Sequence, residues 1–235
     1  MMAPSAPKAQ YDAFLIDARN RMVDSQIRPN RVSDWRILDA MRHLPRERFL
    51  PDAQLALAYA DQNVPLGGGR VLLQPMALAR LLQAAAPSAG EKALVVGAAT
   101  GYSAALLAAL GCEVTALEEP GVLFDLAKDA LAAVAPGVLL VSGPLPAGWP
   151  AGAPYDLILI DGAVPEVPAA VASQLNRETG RLLTIVGPNG MSGGTSRSSL
   201  AVHAEPTPAG VSVRALFDCR SPVLPPFAVA PAFEF

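Results

Sequence analysis

Cysteine is nearly absent from this chain: Cys112 and Cys219 are the only two in 235 residues, and they lie far apart. That excludes a disulfide-stapled scaffold and fits a reducing cytoplasm. Cys112 stands just before an apolar run and reads as a small buried hydrophobe rather than a reactive thiol. Histidine is equally scarce, at His43 and His203. His203 has no Cys or His partner at metal-ligand spacing, so no metal site is expected. His43, at the end of a helical stretch, reads as a helix-end cation. No apolar run reaches the ~20 residues of a membrane span, and Met1–Gln10 lacks the continuous apolar core of a secretion signal. An excess of basic charge is missing too. Lys and Arg number 18 against 21 Asp and Glu, a net charge of −3, without the basic face that duplex nucleic acid demands. The expectation is a cytoplasmic protein with neither membrane nor nucleic-acid partner; nothing in the pattern sets an oligomeric state.

Apolar residues make up 51% of the chain and charged ones 17%, ample material for a core. Residues 1–10 read as a flexible tail and 11–90 as an N-terminal helical region. Tyr11–Ile27 spaces Phe14, Leu15, Ala18 and Met22 as one amphipathic helix. Arg28-Pro29 breaks it, and Ser33 or Asp34 can cap the next, around Trp35–Met41. Val64–Leu73 reads as a loop built on Gly67-Gly68-Gly69, and Gln74-Pro75 opens a further helix. From residue 91 to 220 short apolar strands alternate with helices, which predicts a mainly parallel sheet covered on both faces. Leu200–Glu205 and Val211–Cys219 alternate like edge strands at its antiparallel end. Gly187–Ser199 reads as a glycine- and serine-rich loop, and 221–235 as a proline-rich tail without periodicity.

One motif carries chemistry. The strand Leu94-Val95-Val96 runs into Gly97-Ala98-Ala99-Thr100-Gly101-Tyr102 and then into a helix. Glycine at such a crossing lets the backbone turn sharply and approach a ligand beside the helix N-terminus. About twenty residues later, at the end of the next strand, Glu118 can accept hydrogen bonds from ribose hydroxyls. G-x-x-x-G suits a methyl-donor nucleoside better than the pyrophosphate that G-x-G-x-x-G cradles. The blander alternative is a ligand-free α/β domain using Gly97 and Gly101 for packing.

Several stretches together resemble the protein-L-isoaspartate O-methyltransferase family. They are Met22–Arg28, Val32–Met41, Pro45–Pro51, Ala58–Asp61, Val64–Gly67, Gln74-Pro75, Val96-Gly97 with Thr100–Tyr102, Gly148–Pro150, Ala153–Asp156 and Val164–Pro168. They fall in the family's order over roughly residues 21–187. The resemblance implies a Rossmann-like methyltransferase fold, α/β, preceded by a helical region that covers the substrate cleft. It also implies S-adenosylmethionine as cofactor, and as substrate a protein or peptide carrying isoaspartate. Methylation of that carboxylate starts a repair in which the ester collapses to a succinimide. The cofactor would lie against Gly97, Ala98, Ala99, Gly101 and Glu118, with Asp61 and Gln74 at the substrate cleft.

The sequence departs from the family's pattern where polar groups are expected. Leu73 stands at the position of an active-site serine, and it has no hydroxyl to donate. Val95 replaces a glutamate, Ala99 a glycine, and Pro144 the aspartate that approaches adenine. Asp161 introduces an acid beside the methyl-donor cleft and is a candidate cofactor contact. These changes predict weakened cofactor binding and leave no residue named as catalytic. They keep two alternatives in view: a relative with another substrate, using an apolar Val71–Leu73 lip, or a non-catalytic binding protein. Elsewhere, Arg46, Glu47 and Arg48 read as a solvated charged turn, Trp149 as a packing residue, and Ser196–Ser199 as a solvated loop.

Overall fold

The computed structural model describes residues 8–187 and 199–228. Helix α1 (Lys8–Met22) and α2 (Trp35–His43) lead into a hairpin of β1 (Val64–Gly67) and β2 (Arg70–Leu72), followed by α3 (Pro75–Ala85). Strand β3 (Lys92–Val96), α4 (Tyr102–Ala109), β4 (Glu113–Glu118), α5 (Val122–Val134) and β5 (Leu139–Ser142) come next. Then follow β6 (Leu157–Val164), the short α6 (Ala169–Ala172), β7 (Arg181–Val186), β8 (Leu200–Thr207) and β9 (Gly210–Asp218).

The seven strands β3 to β9 form one sheet in the order β5-β4-β3-β6-β7-β8-β9. Pairing is parallel from β5 to β7 and antiparallel from β7 to β9. The central strands bury both faces, as continuous apolar runs do. Ala93, Val95, Leu157 and Leu159 look toward α3, α4 and α5. Leu94, Val96, Ile158 and Ile160 look toward α6, Leu145, Tyr155 and Leu224. The chain reverses direction across the sheet between β3 and β6, and strand ends at such a switch point are where open α/β sheets bind ligands.

Several sequence expectations change in detail. Lys8 already opens α1, so a helix starts inside the segment read as a tail. That helix ends at Met22, and Val23–Ile27 forms a π-helical turn that buries both Val23 and Ile27. Phe14, expected on its inner face, is exposed, whereas Arg19 is buried there. Arg19 replaces apolar contact with donors: its Nε reaches the Tyr59 hydroxyl at 3.0 Å and its Nη2 the Glu47 carboxylate at 3.1 Å. The segment read as a triple-glycine loop is the β1–β2 hairpin, with Gly67, Gly68 and Gly69 all at positive φ around its turn. β6 runs to Val164 and carries Asp161 within the strand. Most of the Gly187–Ser199 segment, including Ser196–Ser198, lies outside the described residues.

Candidate cofactor and substrate site

The glycine turn after β3 is held by its neighbour strand. The amides of Gly97 and Ala98 both donate to the Leu117 carbonyl, at 2.9 and 3.1 Å. Gly97, Ala99 and Gly101 have φ of 72°, 51° and 97°. Ala99 therefore adopts a left-handed conformation that an L-residue holds only at a cost. A Cβ on Gly101 would lie 2.9 Å from Leu131 Cγ, so α4 can approach α5 only because that side chain is absent.

Glu118 closes β4 and is 1% exposed. Its two oxygens accept four hydrogen bonds. Arg70 Nη1 and Nη2 form a two-pronged pair at 2.7 Å each, the Ala99 amide donates at 2.6 Å, and the Glu119 amide at 2.9 Å. A carboxylate offers about four lone-pair sites, so Glu118 is saturated within the chain. Arg70 Nη2 also donates to the Gly97 carbonyl at 2.9 Å, clamping the turn itself.

Asp161 enters from β6, one residue beyond the Val96–Ile160 pairing. Its Oδ2 accepts from the Ser103 hydroxyl at 2.5 Å, while its Oδ1 is buried without a hydrogen-bond partner. Burial pushes its carboxyl up to about 6, with Ser103, Arg70 and Arg46 pulling the other way. Buried polar atoms without a hydrogen-bond partner also occur at Thr100 Oγ1 in the turn and at Arg70 Nε, whereas Arg46 and Tyr102 lie against each other. A set of unspent donors and acceptors under a glycine turn marks a place built for more than packing.

Arg46 corrects the sequence reading most sharply. It is fully buried rather than part of a solvated turn. Its Nε donates to the Ala58 carbonyl at 2.9 Å and its Nη2 to the Leu73 carbonyl at 2.7 Å, and the guanidinium lies over the Tyr102 ring. Glu47 is held by Arg19 and by the Tyr59 hydroxyl, and of the three only Arg48 is exposed. Leu73 is also buried, as is Leu72, so the expected apolar lip reduces to the half-buried Val71. Asp61 and Gln74 come together at the exposed rim, where the Gln74 amide nitrogen donates to Asp61 Oδ1 at 2.7 Å. His43, the last residue of α2, is exposed and lies 3.3 Å from Asp39.

The space in front of the turn holds residues that sequence reasoning passed over. Leu224, from the proline-rich C-terminal segment, is buried against Gly97 and Gly162. A Cβ on Gly97 would meet Leu224 Cδ1 at 3.2 Å and Arg70 Nη2 at 3.3 Å. The only sequence signal for Arg70 is a lone cation directly after three glycines. For Leu224 there is none beyond an apolar residue in a tail. Beside them a cleft of about 440 Å³ opens between Gly67, Arg70, Glu118, Gly121, Pro225 and Pro226.

In kind the residues suit an S-adenosyl nucleoside: a backbone cradle, a strand-end acid and the unpartnered Asp161 oxygen. What stands in the way is the chain's own Arg70 and Leu224. A parallel sheet with this cradle at its switch point and an antiparallel end defines the Rossmann-like methyltransferase class. The model of the family described as protein-L-isoaspartate(D-aspartate) O-methyltransferase matches residues 17–195, and the chain belongs to that family. A protein-L-isoaspartate O-methyltransferase of Methylorubrum extorquens is 42% identical over 174 residues, 74% of this chain and 76% of the relative. One from Methanoregula boonei is 39% identical over 74% of this chain and 81% of its own length. A solved protein-L-isoaspartate O-methyltransferase superposes with a TM-score of 0.74 at 24% identity; it covers 88% of this chain, which spans 65% of that structure. A Plasmodium falciparum protein assigned to the same activity, crystallised with S-adenosyl-L-homocysteine, gives 0.73 at 16% identity, covering 88% of this chain and 97% of its own. Among the described residues no helix is long and apolar enough to cross a membrane, and no group of acidic, Cys or His side chains could hold a metal.

Proposed function

We propose that this chain is an S-adenosylmethionine-dependent protein carboxyl O-methyltransferase acting on the free carboxylate of isoaspartyl residues in proteins or peptides. The single observation that carries the reading is the strand–glycine turn–helix–strand–acid unit at the switch point of a chain in this family. When bound, S-adenosylmethionine supplies a sulfonium methyl group. Glu118 would accept from the ribose hydroxyls in place of Arg70, and the Gly97, Ala98, Ala99 and Gly101 backbone would lie against the methionine end. Asp161 Oδ1, buried and unpartnered, would accept from the cofactor's amino group. At the rim, Asp61 and Gln74 orient the substrate backbone beside the β1–β2 hairpin. The family's serine position supports no hydroxyl chemistry here, because Leu73 is apolar and faces the core. Rate enhancement then rests on holding a carboxylate nucleophile in line with the methyl and excluding water, which asks for position rather than a general base.

With two cysteines far apart in sequence, both free and buried, the chain suits a reducing compartment, and we place the protein in the cytoplasm. The decisive experiment is methyl transfer to an isoaspartyl peptide against its normal aspartyl isomer, alongside calorimetry with S-adenosylhomocysteine. Transfer to the isoaspartyl peptide alone is the expected result. Nucleoside binding with no transfer to either peptide would assign another substrate, and no binding would assign a non-catalytic role.

A further inference from the structure

The C-terminal segment is stitched to the sheet at the cleft. The Ala163 amide donates to the Pro222 carbonyl at 3.3 Å, and the Leu224 amide returns to the Ala163 carbonyl at 2.8 Å. Val223 thus forms a one-residue parallel bridge to Ala163 on β6. This places the Leu224 side chain, 3% exposed, in front of both Gly97 and Gly162. Pro225 turns back over Gly69, where a Cβ would meet its Cγ at 3.2 Å, and Pro225–Phe227 form a single 3₁₀ turn. From the opposite side Arg70 fills both ends of Glu118. The two side chains therefore meet over Gly97, one apolar and one cationic.

Three features distinguish this from ordinary packing. First, Arg70 is the only side chain among the four donors to Glu118; the other two are backbone amides within the turn and strand end, which cannot leave. A ribose hydroxyl reaches Glu118 only by replacing Arg70. Second, the C-terminal segment crosses the cleft on two hydrogen bonds, and its turn beyond Leu224 is exposed or half-exposed. A segment held to β6 by so few bonds opens without disturbing the pairing of the sheet's own strands. Third, a Cβ on Gly162 would lie 2.6 Å from Leu224 Cδ2, so the strap is seated where β6 itself leaves room for it.

We propose that Leu224 and Arg70 form a latch that occupies the methyl-donor cleft at rest, and that the entering nucleoside displaces both. This rests on the methyl-donor reading of the site. Ligand affinity is then set by a competition: binding pays for opening the latch, and loosening the latch tightens binding. Release also changes the chemistry of the cleft. Once Glu118 accepts from ribose, the Arg70 guanidinium loses its carboxylate beside the Gly97 turn, where the methionine carboxylate of the nucleoside offers it a new anion.

Hydrogen exchange on the wild-type chain, with and without S-adenosylhomocysteine, tests this directly. The expected result is faster exchange at the Leu224 and Phe227 amides, which are hydrogen-bonded at rest, on ligand addition, with slower exchange at residues 97–101. Calorimetry on Leu224→Ala and on Arg70→Lys, which keeps the cation but loses the fork, should each give an affinity increase of about tenfold. Ligand binding that leaves the Leu224 and Phe227 amides unchanged or slowed, with both variants at wild-type affinity, overturns the latch and leaves the cofactor site standing. Absence of binding by wild type and both variants overturns the cofactor reading itself, and the latch with it.

Discussion

Burial holds the Asp161 carboxyl at about 6 in the folded chain, against an ordinary value of 3.8. Between those two values the folded state binds more protons than the unfolded chain, so stability falls as pH rises from about 4 to about 6 and stays lower above. Asp161→Asn removes the buried charge while its amide oxygen still accepts from Ser103. We expect a gain of about 1–3 kcal/mol at pH 8 that shrinks toward zero near pH 4. Denaturant unfolding at the two values decides it, and an equal effect at both would refute the account. The turn beside it offers a second residue-scale contrast. Gly101→Ala forces a Cβ at φ 97° into Leu131 and should cost about 2 kcal/mol or more. Ala99→Gly relieves a left-handed alanine while loosening the unfolded chain, so its melting temperature should move little. Equal losses in both variants would show that the turn geometry is not what the two positions share.

Helix α3 ends on Ala86, itself left-handed at φ 46°, with its last carbonyls turned toward β7. Arg181 collects them. Its Nε donates to the Ala85 carbonyl, its Nη2 pairs with Glu91 at 2.7 Å, and its Nη1 donates to the Asp156 carbonyl at 3.1 Å. One side chain therefore joins a helix end, the start of β3, the start of β6 and its own strand. Arg181→Ala leaves a half-buried Glu91 and several carbonyls without donors, and should cost about 2–4 kcal/mol in denaturant unfolding. A loss below about 1 kcal/mol would mean that water replaces the guanidinium freely. Legibility also varies at this scale. The long apolar strands and α3 to α5 declare themselves because period and length agree. The β1–β2 hairpin does not: strands of four and three residues are too short for alternation to register, and three glycines mask the turn between them. β6 outruns its apolar core because pairing to β7 resumes at Ala163 and Val164 after an irregularity that accommodates Asp161 and Gly162.

Across the whole molecule, the order of elements and the place of the cradle were written in local pattern, since Gly97, Gly101 and Glu118 lie within one β-α-β unit. What closes the cleft was not. Arg70 meets Glu118 across 48 residues, and Leu224 reaches Gly97 from the far end of the chain; no local periodicity encodes such a meeting. Arg46 was misread for the same reason: its acceptors at Ala58 and Leu73 come from segments that only the fold brings near. Charge in a sequence signals solvent until its partners are known.

The sheet also ends unequally. One border, β5, is four residues long; the other, β9, runs nine residues, mostly in contact with solvent. A long border strand is a template on which a second chain can add itself, and the native answer is to make it irregular and charged. Here β8 slips register against β9 between Ala201 and Val202, and Arg214 stands on β9, tied to His203. Keeping molecules from joining sheet to sheet at high concentration therefore falls largely to that border, a matter of solubility rather than of methyl transfer.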